Sequence, residues 1–504
     1  METFLYKKNN NKNGLNLLMA YPAIEEFAMS SLGYLWLFKQ ADTTDGVNVQ
    51  RLYTDSENYV NLKNIDAISF SLSFDFDFMG MLEILDKYKI PFLAKNREED
   101  APLIFAGGPV ITTNPEPYKG FFDFFNIGDG EESFQKILEI LKQKQSKSKT
   151  LEMLSKIEGV YVPGISKTVK RVTERLEDVI YTPILSEKSY FKDTFIVEVS
   201  RGCMNRCAFC TASYLNLPYR FYPYEKIINT IELGLKYTNK IALLGAQISA
   251  HPDFFKILKY IEFKIDNGQK IELGISSLRV DSINDELIKI LVKGGQRTST
   301  IAIEAASERL RRIINKNISE KQILNAVKTA RENGLKGLKL YSMLGLPTEA
   351  EEDIKEFINL AQKIKQENKG FEIEFSFSTF VPKPNTPFQW TKREDTKSLE
   401  KKIKFLEKEF AKIGISAKFS SPKWDYWQTF ISRGESDLAE FLIDVYKNGG
   451  KLGAYKSAYK NFKNLSQHAI EGCDFEEDLA WDYIITHPNK EFLKKEYKQT
   501  MLQN

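Results

Sequence analysis

Cysteine, histidine and net charge are all scarce in this sequence. It holds 4 Cys and 3 His in 504 residues, and its 71 Lys and Arg against 68 Asp and Glu leave a formal net charge of +3. Without a large field of one sign, charge gives no reason to expect DNA, RNA or lipid as the partner. So few cysteines cannot form a disulfide framework for so long a chain, and a cluster of them in a reducing compartment reads as metal ligands. No uninterrupted apolar run approaches the roughly 20 residues that cross a bilayer. The basic start METFLYKKNNNKNG leads into LNLLMAYPAI, which is short, interrupted by Pro22 and without an evident cleavage site, so it reads as a first strand. A soluble cytoplasmic protein with no membrane partner is the expectation. At 42% hydrophobic and 28% charged the chain is globular, with length for about two to four domains.

What is present is strand-turn-helix alternation, in two blocks. From residue 15 to about 140, LNLLMAY, DAISFSLSF, PLIFAGGP and FDFFNIGDGEESFQKILEIL describe a doubly wound, Rossmann-like α/β domain. Gly107-Gly108 and Gly128-Asp129-Gly130 fall just after its strands, where an open parallel sheet presents loops to ligands. The polar segment KQKQSKSKT and the Pro/Gly-punctuated GVYVPGISKTVKRV lead out of it. From Thr194 to Pro384 come TFIVEVS, KIALLGA, KIELGISSLRV, STIAIEAA, GLKLYSMLGLP and FEIEFSFSTFVP, separated by helical stretches. Six such βα-type units suggest a partial (β/α)6 barrel with its ligand site at the carboxyl ends of the strands. Beyond residue 395, the Lys-rich TKSLEKKIKFLEKEFAKIG, the aromatic SPKWDYWQTFISRG and further helical sequence suggest a small, mostly helical module. The expected domains are residues 1–187, 188–395 and 396–504.

Three of the four cysteines share one loop, VSRGCMNRCAFCTAS, directly after the first barrel strand, spaced Cys203-x3-Cys207-x2-Cys210. A structural zinc site normally closes with four ligands, usually in two pairs, and no second Cys or His pair lies nearby. Three thiolates on a tight loop suit three irons of a 4Fe-4S cluster, leaving the fourth iron open to an exogenous ligand. The amino and carboxylate groups of S-adenosylmethionine suit that vacancy. An electron from the cluster would break the sulfonium bond and give a 5′-deoxyadenosyl radical, which abstracts hydrogen from unactivated carbon as no side chain can.

CxxxCxxC with Phe209 before the last cysteine, after the first strand of a six-unit barrel, resembles the signature of the radical S-adenosylmethionine (radical SAM) superfamily. SSLRVDS, IEAASERLRRIINK, LKLYSMLGLPTE and FVPKPNTPFQW, with PLIFAGGPVITTNPEP and NIGDGEES ahead of the barrel, resemble a branch with an N-terminal cobalamin-binding-like domain; the likeness covers most of the chain. The resemblance implies a radical SAM enzyme of unknown substrate, with a cluster on Cys203, Cys207 and Cys210 and with Phe209 near the adenine of S-adenosylmethionine. It implies that Gly245 and Gln247, in LGAQ, receive the methionine amino group, although the family's usual glycine pair is missing. Ser277 and Arg279 would take the ribose and the carboxylate, Glu304 the ribose or amino groups, and Gly345 and Leu346 would pass close to the adenine. A structural ion pair of Arg279 with Glu304 across the barrel mouth is the alternative for those two, and a plain strand terminus for Gly345. The implied partners are the substrate and an electron donor such as flavodoxin or ferredoxin.

Methylthiotransferases, which IALLGAQ and FSFSTFVPKPNTPF also resemble, carry further cysteines ahead of the barrel, and residues 1–202 hold none. A cobalamin-dependent methyltransferase is the alternative function, because an α/β domain ahead of the barrel could hold a corrin over the site. Against it stand the missing D-x-H-x-x-G loop and the lack of any His or Cys in residues 1–188. The expectation is no tight cobalamin binding, with Gly107, Gly108 and the Gly128-Asp129-Gly130 turn serving packing or another ligand. His251, His468 and His487 all lie outside that domain; His251, on the ligand side of the barrel, reads as a solvated loop residue. An alternative of another class is a non-catalytic Fe-S protein that binds nucleotide or RNA, with Lys397 to Lys412 on the backbone and Trp424, Tyr426 and Trp427 stacking on bases. Charge runs are usually solvated helix faces and such aromatics usually core, so nucleic acid is not favoured.

Overall fold

The computed structural model describes residues 2–502 except 12, 58, 59, 463, 464, 466 and 467. The N-terminal sheet consists of β1 (Leu15–Ala20), β2 (Val47–Leu52), β3 (Ala67–Ser71), β4 (Leu103–Gly107), β5 (Phe124–Asn126) and β6 (Val160–Tyr161), in the spatial order β2-β1-β3-β4-β5-β6. Neighbours are parallel except β6, which runs antiparallel to β5. Central β1 has the near-continuous apolar run of a strand covered on both faces. VNVQRL of β2 instead alternates Val with Asn and Gln, as an edge strand with one wet face does, and the sequence reading passes over it. The chain reverses direction of growth between β1 and β3, so their carboxyl ends form the switch point where such sheets bind ligands. The polar segment after residue 141 holds a helix, Lys147–Leu154, capped by the Ser146 hydroxyl, before the chain returns to pair β6.

All six strands expected in the second block form. β7 (Phe195–Glu198), β10 (Lys240–Leu244) and β11 (Glu272–Ile275) make one parallel sheet; β12 (Thr298–Glu304), β13 (Gly337–Leu344), β14 (Glu372–Thr379) and β15 (Ser416–Phe419) make another, and a parallel bridge between Leu278 and Ile301 joins them. Between β7 and β10 lies a short antiparallel ladder of β8 (Ser200–Arg201) with β9 (Arg220–Phe221). Ile301, Ile303, Leu338, Leu340 and Phe375 pack outward on the helices, while Tyr341 and Ser378, at alternate positions, stay exposed on the inner face.

β15 was not anticipated. It is reached through the Lys-rich helix Thr396–Ile413, which buries Leu399, Leu406 and Phe410 against the sheet. Lys397, Lys401, Lys404, Lys408 and Lys412 therefore occupy the outer face of a crossover helix, while Lys402 turns inward and pairs with Glu349 and Glu394, each at 2.7 Å. The C-terminal helices pack on the N-terminal sheet and its helices: Trp427, Phe430, Phe441 and Tyr455 share one apolar cluster with Phe70, Phe78, Tyr118 and Phe122. Trp424 and Tyr426 pack against the same cluster, so the aromatics considered for base stacking are committed to the core. Among the described residues no helix is long and apolar enough to cross a membrane.

Candidate active site

The cysteine loop begins where β7 ends and is closed at its base by the β8–β9 ladder, with Arg201 opposite Arg220. Gly202 makes the entry turn at φ +87°, and a Cβ there would stand 2.3 Å from the Asn216 carbonyl oxygen, so the loop closes on itself only with glycine. Cys207 is buried and Cys203 and Cys210 partly so. Burial pushes the Cys207 thiol up to about 12, against the pull of the Lys316 ammonium. Burial raises the Cys210 thiol as well, against hydrogen bonding from Ser213. A thiolate in this setting needs a cation beside it, which coordinated iron supplies. Among the described residues no group of three or more His, Cys, Asp or Glu side chains is gathered to hold one metal ion. Three thiols on one loop are the donor set of a cluster in which each thiolate serves its own iron, whereas a structural zinc site normally closes with four ligands.

The neighbouring strand ends meet this loop. After β10, Gln247 Oε1 accepts from Cys203 Sγ at 3.3 Å and from the Met204 amide at 3.4 Å, and Gly245 packs so closely that a Cβ would stand 2.6 Å from Ser200 Oγ. After β11, Ser277 is exposed and Arg279 forks onto Asp281 at 2.9 and 2.8 Å. Glu304, at φ +61° beyond an irregularity in β12, accepts from Lys316 Nζ at 2.7 Å. The ion pair of Arg279 with Glu304 considered from sequence is not formed; each has a nearer partner of its own. Both still act electrostatically on the cysteines, Glu304 on Cys207 and Arg279 with Cys207 and Cys203. After β13, Gly345 turns at φ +79° and its amide donates to Glu349 Oε1 at 2.9 Å. Leu346 and Phe209 belong to one apolar wall with Met343 and Phe380.

Sequence reasoning missed Lys316, Asp281 and Glu349. Asp281 and Glu349 stand two and four residues beyond the groups they hold, a local signal that was readable. Lys316 returns from the far end of a helix, and nothing in its spacing announces it. His251 is no solvated loop residue: it is buried, its Nε2 donates to the Tyr222 carbonyl at 2.8 Å and its Nδ1 accepts from the Asp253 amide at 3.0 Å. With both nitrogens committed it braces the loop. The His468 side chain lies outside the described residues.

A cavity of about 630 Å³ lies at the carboxyl edge of the N-terminal sheet, between Ser69, Asn126 and the two glycine turns on one side and Thr211 and Leu215, just past Cys210, on the other. Gly108 (φ +107°) and Gly128 (φ +101°) are demanded by the backbone: a Cβ would stand 2.5 Å from the Leu72 and 2.3 Å from the Val172 carbonyl oxygen. Asn126 Oδ1 is buried there without a hydrogen-bond partner.

Residues 197–361 match the family model described as the Radical SAM superfamily, and residues 39–163 the one described as Radical SAM proteins, N-terminal. The uncharacterized protein MJ0966 of Methanocaldococcus jannaschii is 34% identical over 477 residues, which cover 93% of this chain and 98% of that protein. The chain belongs to the radical SAM superfamily. As a radical SAM protein it is an enzyme, of a family that works with a 4Fe-4S cluster and S-adenosylmethionine. The uncharacterized methyltransferase PH0819 of Pyrococcus horikoshii is 28% identical over 62% of this radical SAM chain and 68% of its own. The solved structure of OxsB, a cobalamin-dependent S-adenosylmethionine radical enzyme with aqua-cobalamin and S-adenosylmethionine bound, matches 97% of this chain and 79% of its own at TM-score 0.58 and 12% identity, a likeness of fold.

Proposed function

We propose that this radical SAM enzyme holds its cluster on Cys203, Cys207 and Cys210, binds S-adenosylmethionine across the adjoining strand ends, and modifies an organic substrate. The observation that carries the reading is the convergence on one loop: Gln247 touches Cys203, while Arg279, Glu304 and Lys316 act on the thiols. When bound, the cluster supplies the electron that splits the sulfonium bond into methionine and a 5′-deoxyadenosyl radical. The chain's own part is to bind and orient. Arg279, held by its fork on Asp281, offers its remaining Nη1 to the methionine carboxylate, Gly245 and Gln247 edge the amino group, Ser277 and Glu304 take the ribose, and Phe209, Gly345 and Leu346 flank the adenine. A one-electron carrier such as flavodoxin or ferredoxin, in the cytoplasm, supplies the reducing equivalent. The layout this reading uses is 1–187, 188–395 and 396–504, with β15 supporting extension of the partial barrel to residue 419. Anaerobically reconstituted, dithionite-reduced protein is expected to yield 5′-deoxyadenosine and methionine from S-adenosylmethionine. A full, reduced cluster that yields none, even with cell extract as substrate source, overturns the reading.

A second reading, a cobalamin-dependent radical SAM methyltransferase, is favoured by the position of the 630 Å³ cavity, at the switch point of the N-terminal sheet and open toward the helix after Cys210. The buried Asn126 Oδ1 offers an acceptor to the amide edge of a corrin. The described lining carries no histidine or cysteine, so cobalt would find no imidazole or thiolate in it. Retention of hydroxocobalamin through a desalting column separates the two readings.

A further inference from the structure

The ladder that closes the cysteine loop places Arg201 and Arg220 directly opposite each other. Both reach the same carboxylate across the domain boundary: Arg201 Nη1 meets Asp129 Oδ1 at 3.0 Å, and Arg220 Nη1 meets Asp129 Oδ2 at 2.6 Å. Arg201 also forks onto Glu198 at the end of β7 and reaches Glu131 at 2.7 Å, while the Glu174 amide donates to Asp129 at 3.0 Å. The three side chains are largely buried, so the pairs are shielded from the screening that makes exposed ion pairs weak. Asp129 itself is fixed. It sits between Gly128, whose backbone is pressed against Val172, and Gly130, which begins the helix Glu131–Leu141. The same turn and Arg201 line the 630 Å³ cavity, together with the helix that follows Cys210.

We propose that Asp129 is a positioning residue for the iron-sulfur site, clasping both arginines of the ladder so that the loop carrying Cys203, Cys207 and Cys210 is tied to the wall of the N-terminal cavity. The proposal rests on the reading of those cysteines as cluster ligands. Neither arginine can follow the loop if it moves without releasing one oxygen of Asp129, and a bidentate, two-sided grip resists rotation as a single contact does not. A ligand that displaces the Gly128-Asp129-Gly130 turn therefore displaces the base of the cysteine loop.

The test compares Asp129→Asn with Asp75→Asn. Asp75 is a second carboxylate that joins the N-terminal domain to the rest, accepting from Lys383 at 2.5 Å and Gln428 at 2.8 Å, and it contacts no residue of the cysteine loop. Both variants and the parent are reconstituted anaerobically, reduced with dithionite, and examined by electron paramagnetic resonance with and without S-adenosylmethionine. The expected result is full iron in all three, a single cluster signal in the parent and in Asp75→Asn, and a mixture of signals in Asp129→Asn. S-adenosylmethionine affinity in Asp129→Asn is expected to fall at least about fivefold, the lower end of coupling between sites. If Asp129→Asn does not fold, Arg220→Gln, which removes one arm of the clasp, carries the same expectation. A parental spectrum and affinity in the clasp variant overturns the proposal, and so does an equal change in Asp75→Asn, which would report general loosening. A parent that takes up no iron overturns the cluster reading beneath it.

Discussion

Gln247 Oε1 stands 3.3 Å from Cys203 Sγ, and Asn205 Nδ2 donates to the same sulfur at 3.3 Å. Once the thiol is a thiolate it can only accept: Asn205 Nδ2 keeps its bond to the sulfur, whereas Gln247 Oε1, which also accepts from the Met204 amide at 3.4 Å, no longer receives a proton from it. Hydrogen bonds to cluster sulfurs favour the reduced, more negative state. Asn205→Ala is therefore expected to lower the reduction potential by about 40 mV, one hydrogen bond of ~1 kcal/mol in a one-electron step. A redox titration followed by electron paramagnetic resonance reads it; an unchanged or raised potential excludes the contact.

Ligand count gives a sharper expectation. Reconstituted protein should hold about four irons, and replacing Cys203, Cys207 or Cys210 by Ala should in each case lose the cluster. Cys473 lies half-buried among the C-terminal helices, beside Arg433 and remote from the other thiols. Cys473→Ala should keep full iron; equal loss in that variant would show the ligand set to be wrong.

Arg279 supplies a test of cofactor binding. Its guanidinium is already pre-oriented by the fork on Asp281, and a charge-assisted contact to the methionine carboxylate is worth about 1.5–3 kcal/mol. Arg279→Ala should weaken S-adenosylmethionine binding by roughly 10- to 100-fold at unchanged iron content, measured by equilibrium dialysis of the reconstituted protein. Binding at the parental level would leave Arg279 as no more than the partner of Asp281.

The periodic, buried elements were legible. TFIVEVS, KIALLGA and the four runs after them all become strands, because each carries apolar residues at alternate positions that pack on the covering helices, as Ile301, Ile303, Phe375 and Phe377 do. The cysteine spacing was legible for a different reason: the ligands sit on one short loop, so sequence distance and spatial distance coincide. What escaped was decided at long range. VNVQRL is a strand only because it finds β1; the Lys-rich helix joins the second sheet because SAKF pairs with β14; and Trp427 finds its neighbours in the N-terminal domain, more than 300 residues earlier. The clasp of Arg201 and Arg220 on Asp129 is of the same kind. Each residue was in view, and only the fold brings them together.

The clasp has a signature in acid. Burial alone would raise the Asp129 carboxyl, but the charges of Arg201 and Arg220 outweigh it and hold the group below the usual carboxylate range. A carboxyl depressed in the folded state stabilises the protein above its unfolded value, about 4, and that contribution disappears as pH falls through the folded value. The stability difference between the parent and Asp129→Asn should therefore be present at neutral pH and shrink in acid. Urea unfolding of both proteins across that range measures it; a difference that is constant with pH removes the charge from the account.

The two adjacent glycines of the cavity wall should answer differently to substitution. At Gly108 the backbone is left-handed, φ +107°, and a Cβ would stand 2.5 Å from the Leu72 carbonyl oxygen, so even Gly108→Ala must move backbone; strain at such a position costs about 1–3 kcal/mol. Gly107 ends β4 with ordinary backbone, and the nearest atom to a Cβ is the Asn126 carbonyl oxygen at 3.5 Å, an ordinary contact. Gly107→Leu should fold with a melting temperature near the parent's while its side chain fills the cavity, whereas Gly108→Ala should melt several degrees lower, as about 1 kcal/mol or more does in a domain of this size. This makes Gly107→Leu the variant with which to question cobalamin. With no imidazole or thiolate in the described lining, hydroxocobalamin is expected to wash away from the parent on a desalting column. Stoichiometric corrin absorbance carried with the parent and lost in folded Gly107→Leu would overturn that expectation and establish the cavity as a cobalamin site, which the methyltransferase reading requires.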